Sequence, residues 1–328
     1  MMTSPKIALF ANKDSAQLNA IGDAVREENG TPLILDIKLG GESAPDMCIE
    51  GEHSMWGGID FSDINVIHIR CTSPNTFPSI PPVMNPTTFC RFRTSYFQEQ
   101  EYQSAIFSFF EQFTNRGGLV INSLITYIDH DSKSQFYEKM RVNGFDVPRS
   151  LTTNDPEKAM DFVEKTGDVI IKPATGVGST RTLTAYDHKN IGLIKHCPVL
   201  LQEQIMGHTV RVHIVGDKVV LALRIHSSGG VDSRTETEKF DYFKLPEEEE
   251  ERIVSANQFL GLHYAAWDII VTDDNRCVYL DCNPGPYVMW IGPVFRKYVF
   301  KQLARYMITY AKTGCLHTAA SKVERWKP

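Results

Sequence analysis

Short apolar runs and longer amphipathic stretches alternate through the first 125 residues. Lys6–Phe10 and Pro32–Ile37 have the apolar character of buried strands, and Ser15–Glu28 between them has a helical period. A strand, a helix and a second strand in this order are typical of a βαβ unit in a layered α/β fold. The same patterns predict strands at Cys48–Glu50, Ser54–Trp56, Val66–Arg70 and Leu119–Asn122, and a helix at Tyr96–Phe113.

Helical and strand patterns continue after residue 125. The patterns predict helices at Ser132–Asn143, Asp155–Lys165, Pro246–Leu260 and Phe295–Lys312, and strands at Arg149–Thr152, Asp168–Lys172, Arg181–Tyr186 and Val199–Ile205. Cys71–Pro86 is expected to be an irregular loop, and Ser227–Lys239 is long enough to form a mobile lid. The last dozen or so residues are expected to fray.

Ala266–Pro284 concentrates oxygen-bearing side chains. It has the pattern of two strands joined by a tight turn at Asp274-Asn275, where Asn tolerates a positive φ. That turn places Asp268 opposite Asp281, and strand alternation points Asn283 to the same side. Because like charges facing each other across a ladder are destabilising, the arrangement predicts a bound cation. Two carboxylates and an amide oxygen suit Mg²⁺ held with nucleotide phosphates; a solvated hairpin with scattered acids is the alternative.

A second hairpin, Thr209–His226, predicts an anion site. A turn at Gly216-Asp217 would pair Thr209 with Arg224 and put Arg211 on the same face as Arg224. Two guanidinium groups on one face of a buried sheet favour a phosphate or a carboxylate. Ion pairs with local acidic residues are the alternative.

Pro173–Thr180 is rich in glycine and follows Lys172 at the end of a predicted strand. Backbone N–H groups in such a loop can hold phosphate oxygens, and the lysine adds a mobile positive charge. No Gly-Lys-Ser/Thr follows the glycines, so this is not a Walker A motif, and an ordinary glycine hairpin is the alternative.

The strand end at Glu203 can offer hydrogen-bond acceptors to an adenine amino group, or it can be a solvent-facing edge.

Composition adds only coarse limits. With 328 residues, 42% of them hydrophobic and 23% charged, the chain is typical of a globular protein with two or three subdomains. A net charge of −6 gives no electrostatic argument for nucleic acid. No apolar run approaches the roughly 20 residues needed to span a bilayer, and the first apolar run is too short for a signal peptide.

The cysteines and three isolated arginines give no evidence of a disulfide, metal or ligand site. Seven cysteines without C-x-x-C pairs predict reduced and mostly buried thiols in a cytoplasmic protein. Arg70, Arg91 and Arg93 are interpreted as surface charges rather than as ligands.

The order of these features resembles the ATP-grasp superfamily. Lys133 precedes Lys172 and its glycine loop, and the later features are Gln202–Ile205, Val210-Arg211-Val212, Asp268 and Asp281-Cys282-Asn283-Pro284. The resemblance runs from about Asp131 to Gly292, roughly half of the chain. It is greatest to the branch of the ribosomal-protein glutamate ligases and the graspetide (microviridin-type) peptide macrocyclases. The chain is further similar to the macrocyclases at Arg224-Ile-His-Ser-Ser, Arg234, Trp290-Ile291, Trp56 and His68-Ile-Arg70.

The resemblance implies an α/β (α+β) fold with ATP-grasp architecture. In such a fold an N-terminal α/β pre-ATP-grasp domain precedes two α+β subdomains that clamp the nucleotide. The implied bounds are 1–125 for the N-terminal domain, 126–206 for the central subdomain with the glycine-rich loop, 207–316 for the C-terminal subdomain with the metal and substrate residues, and 317–328 for a tail.

The resemblance also implies a role for each matched residue. The nucleotide would be bound by Lys133, Lys172, Gly176, Gly178, Ser179, Gln202, Glu203, Gln204 and Ile205. One or two Mg²⁺ ions, or Mn²⁺ instead, would be held by Asp268, Asp281 and Asn283. The transferred phosphoryl group and the substrate carboxylate would be faced by Arg211, Arg224 and Arg234. The chain departs from the family pattern at Asp281, where Glu is usual, and in the Asn-Pro-Gly-Pro-Tyr ending.

The function that follows is an ADP-forming, ATP-dependent ligase. A substrate carboxylate would attack the γ-phosphorus to give an acyl phosphate, and an amine or hydroxyl would then displace phosphate. The substrate is either a peptide, which would gain side-chain esters or amides or be tagged, or a small-molecule amino acid. A non-catalytic ATP-binding regulatory module is the alternative from another class. No nucleic-acid or membrane partner is expected, and a homodimer is compatible with the sequence.

Overall fold

The computed structural model describes residues 4–11, 15–37, 45–51, 53–70, 85–175, 180–227 and 237–328. The chain forms two compact units. The first contains Met1–Tyr127, Gly261–Tyr264 and Tyr287–Glu324, and the second contains Ile128–Leu260, Ala265–Pro286 and Arg325–Pro328. Among the described residues, no helix combines the length and hydropathy that crossing a bilayer requires. The four-part division implied by the sequence stays a prediction.

The elements are numbered in chain order. The strands are β1 (Lys6–Ala11), β2 (Thr31–Asp36), β3 (Met47–Glu50), β4 (His53–Trp56), β5 (Ile59–Asp60), β6 (Val66–Ile69), β7 (Leu119–Ile121), β8 (Ser150–Thr153), β9 (Val169–Pro173), β10 (Arg181–Thr182), β11 (Val199–Glu203), β12 (His208–Val215), β13 (Lys218–Ser227), β14 (Thr237–Tyr242), β15 (Tyr264–Val271) and β16 (Cys277–Asn283). The helices are α1 (Ala16–Glu27), α2 (Pro86–Asn115), α3 (Leu124–His130), α4 (Lys133–Val142), α5 (Pro156–Thr166), α6 (Ala185–Lys189), α7 (Glu247–Phe259), α8 (Pro293–Thr313) and α9 (Leu316–Ser321).

The first unit is built on a parallel sheet with the strand order β2-β1-β6-β7. The central strand β1 is fully buried from Ile7 to Phe10, as expected of a parallel strand covered on both faces. The predicted βαβ start is therefore confirmed. Strands β3, β4 and β5 form a separate antiparallel sheet.

Aromatic side chains fill the core of this unit. The Phe109 ring meets Phe61 edge-on with centroids 5.0 Å apart and meets Trp56 at 5.2 Å. Phe10 on β1 contacts Trp56 in the same manner at 5.1 Å. Such edge-to-face pairs add about 0.5–1.5 kcal/mol each to the burial of the rings. This cluster joins the long helix α2 to the parallel sheet.

Helix α2 begins well before the predicted Tyr96. Asn85 accepts hydrogen bonds from the backbone N–H groups of Thr87 and Thr88, and Pro86 occupies the first helical position. The buried residues of the helix all lie in its second half, from Ile106 to Phe113. A helical period of apolar residues therefore marks only the part of α2 that packs on the core.

The second unit contains two sheets. One has the order β10-β9-β11-β8, and the other has the order β14-β13-β12-β15-β16. The first of these sheets packs one face on α5 and on the short 3-10 helix Ile191–His196, through Ala159, Phe162, Val169, Ile194 and Leu201. The register pairs Leu200 with Lys172 and Gln202 with Ser150, so these side chains lie on the opposite face.

Two further sequence predictions are wrong. The strand predicted at Arg181–Tyr186 ends at Thr182, because Thr184 caps α6 and the Arg181 guanidinium pairs with Asp187 on that helix. The tail predicted to fray instead forms α9. Beyond α9, the backbone N–H of Trp326 donates to the carbonyl of Val220 on β13 at 2.8 Å.

The prediction that most cysteines are buried is also wrong. Six cysteines are described, all of them free; Cys277 and Cys282 are buried, and the other four are exposed. The prediction rested on residue type alone, and Cys is often but not always buried.

Replacement of Phe109 by Ala is expected to destabilise the first unit by about 3–5 kcal/mol, because the surrounding rings cannot close over the cavity. Urea denaturation followed by tryptophan fluorescence measures the change. Phe97→Ala on the same helix is the control; its side chain is 57% exposed and the expected change is within about 0.5 kcal/mol. Equal effects of the two substitutions would contradict the core assignment.

Candidate functional site

The β15–β16 hairpin brings two carboxylates together. Asp268 pairs directly with Asp281, as predicted, although the turn differs from the predicted one and a bulge contributes to the register. The backbone N–H of Thr272 donates to the Arg276 carbonyl at 3.0 Å, so the loop is longer than the expected two-residue turn, and Asn275 has a φ of 62°. A bulge next to Asp268 leaves Leu280 unpaired and restores the carboxylate pair.

Each carboxylate has its own cation. Nη1 of Arg211 lies 2.7 and 2.8 Å from the two carboxylate oxygens of Asp268. Nζ of the buried Lys133 lies 2.5 Å from Oδ1 of Asp281. Burial raises the pKa of Asp268 despite the arginine. Burial also opposes the charge on Asp281, but Lys133 and His130 outweigh it and hold the pKa of Asp281 below its ordinary value.

Lys172 is connected to the same hairpin through Tyr137. Its Nζ donates to the Tyr137 hydroxyl at 2.8 Å, and this hydroxyl donates to the Leu280 carbonyl at 2.9 Å. The accepting carbonyl thus belongs to the bulged residue of β16. Burial lowers the pKa of Lys172 to about 8, so the amine is mostly protonated at neutral pH. The structure therefore brings the two predicted phosphate lysines and both predicted metal carboxylates into one network.

Sequence reasoning missed Tyr137 and His130. Tyr137 follows Lys133 by one helical turn, and this spacing alone places both on one face of α4. Nδ1 of His130 lies 2.8 Å from the Cys282 carbonyl oxygen and 3.5 Å from Oδ1 of Asp281. The same ring nitrogen lies 3.2 Å from Nζ of Lys133. No local pattern in the sequence marked His130.

The segment predicted to meet adenine lies at the end of β11. Gln202 is buried and donates to the Ser150 hydroxyl at 2.9 Å, so its side chain is held within the sheet. A carboxylate oxygen of Glu203 accepts from the backbone N–H of Arg149 at 3.1 Å. Gln204 and Ile205 follow as half-buried residues beyond the strand. Their contact with adenine stays a prediction.

The prediction that Arg211 and Arg224 share a face is wrong. A bulge between His213 and Ile214 shifts the register, so Arg224 pairs with Val210 and the two arginines point to opposite faces of the sheet. Nη2 of Arg224 lies 2.8 Å from Nδ1 of His208 instead. Four predicted site residues, Gly176, Gly178, Ser179 and Arg234, lie outside the described residues.

The oxygen donors of this hairpin fit a hard cation. No cluster of three His, Cys, Asp or Glu side chains suited to a metal occurs in the described ranges. Asp268, Asp281 and the amide of Asn283 remain as an all-oxygen set of the kind that Mg²⁺ prefers. Lys133 and the Cys282 N–H both bond Oδ1 of Asp281, and no described group bonds its Oδ2. Asn283 accepts from the Gly285 N–H at 3.0 Å, which fixes its side chain.

Comparison with known proteins identifies this arrangement. The family model of the RimK-like ATP-grasp domain matches residues 131–307, more than half of the chain. The match includes both lysines, both carboxylates and Arg211. The chain belongs to the RimK-like ATP-grasp family. The resemblance stated from the sequence is therefore confirmed.

Relatives and solved structures agree with the RimK-like assignment. The chain is 22% identical over 186 residues to the tetrahydromethanopterin:alpha-L-glutamate ligase of Methanococcus maripaludis, an alignment that covers 53% of this chain and 63% of that protein. It thus spans less than two thirds of the length of the curated relatives it matches. The ATP-grasp ligase PsnB, in complex with a phosphomimetic variant of its minimal precursor, Mg and ADP, superposes with a TM-score of 0.79 at 24% identity, covering 93% of this chain and 98% of PsnB.

A second solved structure has the same fold. The macrocyclase MdnC of Microcystis aeruginosa, bound with its precursor peptide MdnA, gives a TM-score of 0.75 at 18% identity, covering 92% of this chain and 99% of MdnC. At these identities the likeness establishes the fold. The predicted mixed α/β class and ATP-grasp architecture are confirmed.

Replacement of Arg211 by Met is expected to destabilise the second unit by on the order of 3 kcal/mol at neutral pH, since Asp268 would lose its counter-ion. The cost is at the lower end of the range for a buried pair because 27% of the Asp268 side chain is exposed. The difference from the wild type should shrink as the pH falls through the raised pKa of Asp268, which then becomes neutral. Urea titrations at several pH values measure it.

Arg224→Met on the same hairpin is the control for this substitution. Its guanidinium contacts His208 in a partly exposed setting, and we expect a change within about 0.5 kcal/mol at every pH. A pH-independent loss in Arg211→Met would show that Arg211 acts through packing rather than charge.

Tyr137→Phe is expected to lower the pKa of Lys172 below about 8, because the ammonium form would lose its hydrogen-bond acceptor. NMR titration of lysine labelled at Nζ measures the change. Tyr186→Phe at an exposed position is the matched control. An unchanged or higher pKa in Tyr137→Phe would rule out a role for this hydroxyl in holding the charged amine.

Proposed function

We propose that the chain is an ATP-dependent, ADP-forming ligase that activates a substrate carboxylate for attack by an amine or a hydroxyl. The observation that carries the proposal is the convergence of three cations on the β15–β16 hairpin. Lys172 reaches it through Tyr137, Lys133 pairs with Asp281, and Arg211 pairs with Asp268. Membership in the RimK-like ATP-grasp family supports ATP as the phosphoryl donor. Such reactions need little covalent chemistry from the protein, which instead positions reactants and neutralises charge.

The residues of the network have distinct tasks in this proposal. Lys172 and Lys133 attract the phosphates of ATP, and Tyr137 holds the Lys172 amine in place. Arg211 fixes the orientation of Asp268 through both carboxylate oxygens. Asp268, Asp281 and Asn283 would hold Mg²⁺, which when bound offsets part of the phosphate charge. Arg224, on the other face of its sheet, is a weaker candidate for phosphate contact than Arg211.

We further propose a peptide as the substrate, in a macrocyclisation or tagging reaction. The chain covers almost the full length of two proteins solved with precursor peptides, PsnB and MdnC, whereas the glutamate ligases match over about half of this chain. A small-molecule amino-acid or dipeptide ligase is the second candidate, supported by those glutamate ligases. The number of metal ions, Mn²⁺ as an alternative, a homodimer and a cytoplasmic location stay predictions.

Asp281→Asn and Lys172→Ala are each expected to reduce ADP release by about 100-fold or more at an unchanged fold. The first removes a proposed Mg²⁺ ligand, and the second removes a positive charge proposed to face the phosphates. The assay combines ATP, Mg²⁺ and a panel of acidic peptides and amino acids, with circular dichroism as the check on folding. Lys165→Ala is the control, since its side chain is 61% exposed and pairs only with Asp161 on the same helix. Near-normal turnover in both variants would refute the ligase assignment.

A further inference from the structure

Arg70 lies at the point of the first unit where an α/β sheet usually binds ligands. It directly follows β6, at the carboxyl end of the parallel sheet. The chain leaves β1 toward β2 on one side and later returns to β6 on the other, so the strand order reverses between β1 and β6. In open α/β sheets the crevice outside the carboxyl ends at such a reversal is the common ligand position.

The Arg70 guanidinium has no counter-ion in the part of the chain that the structure describes. Its backbone N–H donates to the Phe10 carbonyl at 2.7 Å, which ties the residue to β1. The side chain is half-buried, and its Nε is fully buried without a hydrogen-bond partner. Removing guanidinium N–H groups from water without giving them an acceptor costs free energy. Arg70 is therefore not the ordinary surface charge that the sequence suggested, in contrast to the exposed Arg91 and Arg93.

Tyr287 holds this guanidinium from one side. The Arg70 guanidinium carbon lies 5.2 Å from the centroid of the Tyr287 ring, a cation–π distance. The neighbouring backbone N–H of Val288 donates to the buried Gln17 side chain at 2.7 Å, and Gln17 lies in the first turn of α1. The ring is thus anchored at the carboxyl edge of the sheet. A stacked ring covers a face of the guanidinium and leaves its N–H groups directed along the plane.

We propose that Arg70 and Tyr287 form a subsite for a carboxylate of the substrate, namely a glutamate or aspartate side chain. A guanidinium matches a carboxylate with two parallel hydrogen bonds and one compensating charge. A phosphate carries more charge than a carboxylate and is usually bound by several donors. Burial lowers the pKa of the nearby His68 to about 4, so this imidazole is neutral and adds no positive charge to that of Arg70. The identity of the substrate rests on the proposed ligase function. Binding of a carboxylate at Arg70 can be tested without it.

Direct titration tests the subsite without any turnover. The Arg70 Nε–H resonance is assigned by its loss in Arg70→Lys, and the wild type is titrated with Gly-Glu-Gly blocked at both ends. We expect this resonance to shift with the peptide and to stay in place with the matched Gly-Gln-Gly. No shift with the glutamate peptide, or equal shifts with both, overturns the proposal. A shift with inorganic phosphate alone would make this a phosphate site and overturns it as well.

Variants then separate the subsite from the nucleotide site. Affinity for the glutamate peptide, measured by calorimetry, should fall about 10- to 100-fold in Arg70→Ala, the loss expected for a charged hydrogen bond, and less in Tyr287→Leu. Binding of ATP with Mg²⁺ should be unchanged in both variants, and Arg91→Ala should alter neither affinity. Failure of the ligase assignment would appear as absent ADP release in the wild type, which leaves the peptide titration fully informative. Equal peptide affinity in the wild type and Arg70→Ala would refute the subsite.

Discussion

Two carboxylates that face each other across a β-ladder set the main constraint on this protein. Asp268 and Asp281 are direct partners, and like charges in that position repel unless cations compensate them. The compensation comes from two different elements, Arg211 on β12 and Lys133 at the start of α4. These ion pairs therefore also hold a strand and a helix against the hairpin.

The bulge at Leu280 links this charged hairpin to the other sheet of the second unit. Lys172 belongs to β9, Leu280 belongs to β16, and the Tyr137 hydroxyl bonds both. Bulges often occur next to active sites, where they re-aim one residue without disturbing the ladder on either side. Here the bulge restores the carboxylate pair and also provides the carbonyl that holds Tyr137. One extra residue thus serves both the carboxylate pair and Lys172.

The parts of the site that sequence predicts are those governed by local alternation. A two-residue turn at Asp274-Asn275 predicts that Asp268 pairs with Asp281. The prediction is correct because the longer loop shifts the register by one residue and the bulge shifts it back. The same counting failed for Arg224, where a bulge next to His213 was not compensated. A one-residue shift moves a side chain to the other face, so register is the step at which such predictions are weakest.

Other features were unpredictable because their causes lie far away along the chain. Tyr137 gains its importance from Lys172 and Leu280, which are distant in sequence. The ordered end of the chain depends on Val220, to which Trp326 bonds. Tertiary partners decided each case, and a single sequence does not reveal them.

The first unit is discontinuous, and this affects how the chain is made. Helix α8 packs against the opening α/β layer: Lys297 pairs with Glu27 at 3.0 Å, and Gly30 lies where an added Cβ would come within 3.0 Å of Ile308. The unit therefore includes residues 287–324 as well as the first 127. A ribosome delivers the N-terminal sheet and α1 long before this covering helix. The apolar surface that α8 covers therefore stays exposed on the nascent chain while most of the second unit is synthesised.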